Sequence, residues 1–169
     1  MAYEQHQHDA SQIVAHCAIL TLSDTRTSDT NTSGILIRQL LEQDHHQVIC
    51  YEIIPDDPTR IESSLDTLLS RPDIDTIITN GGTGISRRDN TIPLIQQLLD
   101  SPLPGFGELF RMLSYQQIGS GAFLSRALAG VSRGKIVFAL PGSSKAVELA
   151  MTKLILPEIR HLLHELRKQ

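Results

Sequence analysis

The run Ile13-Val14-Ala15-His16-Cys17-Ala18-Ile19-Leu20-Thr21-Leu22 is apolar at nearly every position. A strand with one face in water alternates apolar and polar side chains, whereas a strand covered by helices on both faces reads as a continuous apolar run. The run therefore predicts the central strand of a parallel sheet. Downstream, a polar loop from Ser23 to Thr32 leads to Ile37, Leu40 and Leu41 at helical spacing, with Ser33 as the N-cap. Gln47 to Ile54 reads as the second strand. Asp57-Pro58 then gives a cap followed by proline at the first helical position, and Ile61, Leu65, Leu68 and Leu69 form the buried stripe of that helix. Strand, helix, strand, helix is the alternation of an α/β domain.

The remainder continues the pattern. A third strand, Asp75 to Thr79, runs into Asn80-Gly81-Gly82-Thr83-Gly84, where glycine frees the backbone for a tight loop. Thr91 is placed to cap a short helix through Leu99, and the break Pro102-Leu103-Pro104-Gly105 separates it from a helix over Phe106 to Gln117. Ala127 to Val131 and Lys135 to Leu140, joined through Ser132-Arg133-Gly134, predict a hairpin, so one sheet neighbour is antiparallel. Pro141-Gly142-Ser143-Ser144 opens a last helix with Val147, Ala150, Leu154 and Ile155 on one face, kinked or restarted at Pro157. No repeat or linker interrupts the chain, so 13–169 read as a single domain behind a flexible segment, 1–12.

The 169 residues are 40% hydrophobic and 20% charged, an ordinary folded composition. A formal charge of -4 supplies no field for a nucleic acid backbone. Apolar runs are too short to span a bilayer and the start is polar, so a cytoplasmic protein with neither membrane nor nucleic acid partner is expected. Cys17 and Cys50 lie inside strand-like runs and read as reduced core residues. His6 and His8 fall in the polar start, and His45 and His46 in a polar turn. His161 and His164 share a helix face, but two histidines without a third ligand do not make a zinc site.

Chemistry is expected where loops leave the carboxyl ends of the strands, because in open α/β sheets those loops line the ligand crevice. Three such loops, Ser23 to Gly34, Gly81 to Thr91 and Pro141 to Ser144, are rich in glycine, hydroxyls and carboxylates. Glycine lets backbone N–H groups approach an anion, so the set suits a phosphate-bearing ligand; singly, each reads as a turn or a helix cap. Asp24, Asp29 and Asp89 are either surface carboxylates or candidates to hold magnesium against a triphosphate. Arg87, Arg88, Arg111 and Arg126 either offset phosphate charge or form surface ion pairs. No dinucleotide-type glycine pattern follows the first strand, Gly130 to Ile136 has the wrong spacing for a Walker loop, and Pro141-Gly142-Ser143-Ser144-Lys145 lacks the second glycine of a nucleophile elbow.

Taken together, Thr21-Leu22-Ser23-Asp24, Thr32-Ser33-Gly34, Asn80-Gly81-Gly82-Thr83-Gly84, Pro104-Gly105-Phe106-Gly107-Glu108 with Phe110-Arg111, Ser125-Arg126 and Leu140-Pro141-Gly142-Ser143 resemble the molybdopterin-binding MoaB/MogA family across nearly the whole chain. The resemblance implies a three-layer α/β/α sandwich with a mostly parallel sheet and one antiparallel hairpin. It implies transfer of AMP from ATP to the terminal phosphate of molybdopterin, with Mg2+ as cofactor and pyrophosphate released. In that reading Gly81, Gly82, Thr83 and Gly84 cradle the ligand, Asp89 before Thr91 orients magnesium and ATP, and Ser23, Asp24, Pro141, Gly142 and Ser143 face molybdopterin. Ser33, Gly34, Thr91, Glu108, Arg111, Ser125 and Arg126 complete the binding set. The resemblance also implies a homo-oligomer, trimer or hexamer, working beside other molybdenum cofactor enzymes.

One position departs from the family pattern: Asn31 stands where an aspartate is common, with Asp29 two residues earlier as a substitute. A neutral amide is a weak magnesium ligand. Two functions stay open on this reading, a molybdopterin adenylyltransferase using Asp89 with Asp29 or Asn31, and a carrier that binds molybdopterin without turnover. A third, metal insertion, belongs to longer multidomain enzymes.

Overall fold

The apolar run forms strand β1 (His16–Leu22), buried at every position after His16. The structure is a computed structural model and describes residues 10–87 and 89–168. Strands β2 (Gln47–Ile54) and β3 (Thr76–Asn80) flank β1, both parallel to it. With β4 (Ser101–Pro102), β5 (Leu128–Ser132) and β6 (Lys135–Leu140) they make a six-stranded sheet of order β2-β1-β3-β6-β5-β4. β6 runs parallel to β3, while β5 is antiparallel to β6 and to β4. The β5–β6 turn places Arg133 and Gly134 at φ 47 and 73, the mirror-image turn that matches strand twist in two-residue hairpins.

Helices α1 (Thr32–Gln43), α2 (Pro58–Ser70), α3 (Thr91–Leu98), α4 (Pro104–Ile118), α5 (Ser144–Ala150) and α6 (Leu156–Arg167) cover the sheet. The period-two geometry of β1 divides the core. Cys17 and Ile19 face one cluster with Ile37 and Leu41 of α1, Phe110 of α4, Val147 of α5 and Ile159 of α6. Ala18, Leu20 and Leu22 face the other, with Ile61, Leu65 and Leu68 of α2 and Ile92 and Ile95 of α3. The fold is therefore a three-layer α/β/α sandwich, mostly parallel with one antiparallel hairpin.

Several local readings change. Asn31, not Ser33, caps α1: its Oδ1 accepts the Gly34 N–H at 3.2 Å, which places Ser33 inside the helix, buried. Asn90 stands at the cap of α3 and Thr91 is its first residue. The break before α4 forms the short edge strand β4, whose two residues pair with β5. Cys17 is buried, but Cys50, on the edge strand β2, is only half-buried and donates its thiol to Glu52 Oε1. Between α5 and α6 the chain makes a π turn over Met151–Ile155, with the Leu156 N–H reaching the Met151 carbonyl. That wider turn lets the helix continue past Pro157, which has no N–H to give and whose ring crowds the preceding turn. His6, His8, Arg88 and most of the 1–12 segment lie outside the described residues; Ala10 is buried and its carbonyl accepts from Ile13 N–H.

His46 closes the base of β1. Its buried ring accepts the Ala15 N–H on Nδ1 at 3.0 Å, which requires that nitrogen to carry no proton. Nε2 lies 3.1 Å from Asp44 Oδ2 but off the hydrogen-bonding direction. Burial and then the Arg160 guanidinium hold the imidazole below its ordinary pKa, against the pull of Asp44. The unfolded chain therefore takes up this proton first. The contribution to stability is complete above about pH 6.5 and is lost as pH falls through the lower folded value. Urea denaturation at a series of pH values is expected to show that His46→Gln flattens the fall in stability below about pH 6.5; an unchanged slope would remove His46 from the account.

Candidate functional site

β1 sends the chain to α1 on one face of the sheet and the neighbouring β3 sends it to α3 on the other, which opens a crevice at their carboxyl ends. At the tip of the two strands Thr21 and Asn80 are register partners. Asn31 Nδ2 donates to Thr21 Oγ1 at 2.8 Å, and Thr21 Oγ1 donates to Asn80 Oδ1 at 2.8 Å. Asn80 Nδ2 donates to Ser33 Oγ at 2.9 Å, and Ser33 Oγ returns to Asn31 Oδ1 at 3.4 Å. Two amides and two hydroxyls thus close a buried ring joining β1, β3 and the start of α1, and Tyr51 OH accepts a further bond from Asn31 at 2.7 Å.

Beyond Asn80 the chain turns through Gly81 (φ 101) and Gly82 (φ 62). A side chain on Gly81 would collide with the Leu22 carbonyl, and one on Gly82 with Thr91 Oγ1 and the Asp56 carboxylate. The Gly81 N–H bonds to the Leu140 carbonyl at 3.0 Å, and Gly84 turns its N–H to Asp89. Asp56 Oδ1 and Thr91 Oγ1 are both buried without a hydrogen-bond partner, against the rule that buried polar atoms are paired. Asp24 Oδ1 accepts the Asp56 N–H at 3.0 Å. Burial, then the charges of Asp89 and Asp24, push the Asp56 carboxyl up, whereas the Ser86 hydroxyl holds Asp89 below the usual carboxylate range.

This donor set fits a hard cation bound with phosphate. Among the described residues no three His, Cys, Asp or Glu side chains converge closely enough to hold a metal by themselves. Magnesium, however, is typically held by one or two carboxylates together with water and substrate phosphates. Asp56 presents an unshared oxygen, and Asp89 and Asp24 add charge beside it.

A second region adjoins the cradle. A pocket of about 590 Å³ between α3, α4 and β5 is lined by Leu103, Glu108, Arg111, Ser125, Arg126 and Leu128 among others. Arg126 ties the two together, donating to the carbonyls of Thr83 (3.1 Å), Gly84 and Asp89 (3.0 Å). Arg111 Nη1 donates to the Ala127 carbonyl at 3.3 Å. Gly107 leaves room for this approach, since a side chain there would meet both Arg111 and that carbonyl.

The expected residues therefore fall into three places. Ser23, Asp24, Ser33, Gly34, Gly81 to Gly84, Asp89, Thr91 and Pro141 to Ser143 gather around the ends of β1, β3 and β6. Glu108, Arg111, Ser125 and Arg126 line the adjoining pocket. Asp29 is exposed on the first loop, and Asn31 is fully buried in the ring with its amide turned to protein partners. Asp56 and Arg26 join them without a local motif to mark either: Asp56 stands at the carboxyl end of β2, on the same sheet edge, and Arg26 donates from Nη1 to Ser33 Oγ at 2.9 Å and from Nη2 to the Gly142 carbonyl at 3.2 Å.

Residues 18–161 match the family model described as "Probable molybdopterin binding domain". The chain belongs to this family. It is 52% identical over 169 residues, 99% of each chain, to molybdenum cofactor biosynthesis protein B of Halalkalibacterium halodurans, and 47% identical over 169 residues to that of Bacillus subtilis, again 99% of each. A crystal structure of a molybdenum cofactor biosynthesis protein B superposes with a TM-score of 0.90 at 50% identity, covering 93% of this chain and 98% of that one. The tungsten cofactor synthesizing protein MoaB from Pyrococcus furiosus superposes with a TM-score of 0.83 at 36% identity, covering 92% and 98%. The chain is thus a member of the molybdenum cofactor biosynthesis protein B group, with a molybdopterin-binding domain that spans most of its length.

The ring makes a direct prediction. Thr21→Val keeps the shape but deprives Asn80 Oδ1 of its donor and Asn31 Nδ2 of one of its two acceptors. The expected loss is about 1–3 kcal/mol in urea denaturation, and a variant as stable as the parent would show that the ring does not hold the crevice together.

Proposed function

We propose that the chain binds molybdopterin at the carboxyl edge of the sheet and, in the cytoplasm, transfers AMP from ATP to its terminal phosphate. The observation that carries this reading is the unshared, buried Asp56 oxygen over Gly82, with Asp24 and Asp89 beside it. A bound magnesium would supply charge neutralisation on the triphosphate, and Asp56 and Asp89 are the residues that would hold it.

The reaction needs no protein nucleophile. An oxygen of the molybdopterin phosphate attacks the α-phosphorus of ATP, the bond to the β-phosphate breaks, and pyrophosphate leaves with the electron pair. The protein's contribution is position and charge. Gly82 and Thr83, whose N–H groups have no protein partner among the described residues, form the floor of the cradle. Ser143 stays fixed by accepting the Ala146 N–H at 3.2 Å. Arg126, anchored on the glycine loop, links the cradle to the pocket of Glu108, Arg111 and Ser125, whose size and mixed walls suit the fused ring of a pterin. Asn31, whose amide is taken up by protein partners, has no part in the reacting groups in this arrangement.

The purified protein, given molybdopterin, ATP and magnesium, is expected to yield adenylylated molybdopterin by mass spectrometry. Asp89→Ala and Asp56→Ala are each expected to lower kcat/KM by about 10²- to 10³-fold, the scale for removing one electrostatic partner of a transition state. Tight molybdopterin binding without product in the parent protein would leave a carrier instead.

The self-association implied by the family resemblance has a candidate surface. Leu109, Met112, Tyr115 and Ile118 of α4 are exposed together with Phe123 (86%) and Leu124 of the following 3₁₀ turn, large apolar side chains of the kind that mark association surfaces. We propose that copies of the chain pack through it. Sedimentation is expected to give an oligomer for the parent and a folded monomer for the double variant Ile118→Asp, Phe123→Asp; a parent that sediments as a monomer would end the idea.

A further inference from the structure

Among the described residues, Arg38, Arg71, Arg133, Arg160 and Arg167 each pair with a carboxylate. Arg26, like Arg111 and Arg126, is half-buried and has no such partner among them. Removing part of a cation's water shell without supplying an anion is unfavourable, so its surroundings must fix it there for another reason. They do so from both ends. Its backbone N–H bonds to Ser23 Oγ at 3.1 Å, and its guanidinium spans Ser33 Oγ and the Gly142 carbonyl, bridging the first loop to the last.

A guanidinium has five N–H donors in one plane; these two bonds leave the other three. The crevice is charged asymmetrically around it. Asp24, Asp56 and Asp89 line the side of the glycine loop, where they repel a bare anion. Arg26, with Ser33 beside it, lies on the side of α1 and the Pro141–Gly142 turn. Arg126 is not a substitute, because its guanidinium is engaged by three carbonyls of the glycine loop, and Arg111 lines the adjoining pocket, where it bonds to the Ala127 carbonyl.

We propose that Arg26 is the residue that receives the terminal phosphate monoester of molybdopterin and sets its position for reaction. Arginine suits the role because its planar fork matches two phosphate oxygens and its charge persists at all physiological pH values. Because Ser33 and Gly142 already hold the side chain, little rotamer freedom is lost when the phosphate arrives. The role rests on the molybdopterin reading above and deepens it: Arg26 distinguishes the phosphorylated ligand from the same pterin without phosphate.

The test is a binding cycle without ATP, titrating the full chain and Arg26→Ala by fluorescence with molybdopterin and with its dephosphorylated form. The parent is expected to bind the phosphorylated form roughly ten- to a hundredfold more tightly. Arg26→Ala is expected to erase that difference while leaving affinity for the dephosphorylated form unchanged. Arg26→Lys, which keeps the charge but not the fork, retains part of the difference and replaces the alanine variant should that one not fold. A difference that survives Arg26→Ala, or an equal loss for both ligands, would overturn the assignment and reduce Arg26 to a brace between loops. A parent protein that binds neither form would sink the molybdopterin reading itself, and the proposal with it.

Discussion

Everything at the ligand edge of this protein hangs on one buried ring of hydrogen bonds among Thr21, Asn31, Ser33 and Asn80. Adjacent parallel strands bring Thr21 and Asn80 side by side, but two polar side chains at buried strand ends are tolerable only if their polar atoms find partners. Asn31 and Ser33 complete the set, and in doing so they fix where α1 begins. The glycine loop starts from Asn80 and the first loop ends at Asn31, so the two main walls of the crevice spring from the same four residues. A cooperative network of this kind orients loops more firmly than their own sequences could, because none of its members can turn without stranding another.

The electrostatic division of the crevice follows from that frame. With β1 and β3 held in register, Gly82 sits against Asp56 and Thr91 with no room for a side chain, and the glycine loop carries Asp89 to the same side. Arg26 reaches Ser33, a member of the ring, on the other side. Acidic groups on one side and a cation on the other suit a ligand set that carries both metal-bound and metal-free phosphate. Asp56 and Asp89, though near each other, are driven in opposite directions, one by burial and neighbouring charge and the other by the hydroxyl of Ser86. Such separation of like groups by environment is common where chemistry is done.

The layers and the sheet were legible because burial writes them into the sequence as periodicity. The continuous apolar run of β1, the boundaries of β2, the Asp57-Pro58 start of α2 and the hairpin about Arg133-Gly134 are all local signals that tertiary structure did not overrule. The places where reading failed have long-range causes. β4 is only two residues and exists because Ser101 and Pro102 meet β5. Asn31 caps α1 in place of Ser33 and is held there by Thr21 and Tyr51, partners remote in sequence. Asp56 was hidden by its neighbour Asp57, whose capping role accounts for the local pattern and leaves nothing local to announce a buried, unshared oxygen one residue earlier.

Asn31 shows how a residue's intrinsic chemistry misleads when its surroundings are unknown. Judged alone, an amide where aspartate is common in the family suggests a weakened metal site. In the folded chain the amide's Nδ2 is the atom that matters, since it supplies two bonds that no ionised carboxylate can donate, to Thr21 and Tyr51. Its Oδ1 is occupied as well, by Gly34 and Ser33. A side chain with no free valence and no exposure has nothing to offer a cation, so the charge at this position bears on the ring and not on the metal. In the proposed reaction the negative charge offered to a nucleotide-bound cation would then come from the carboxyl end of β2 and the end of the glycine loop, where Asp56 and Asp89 lie.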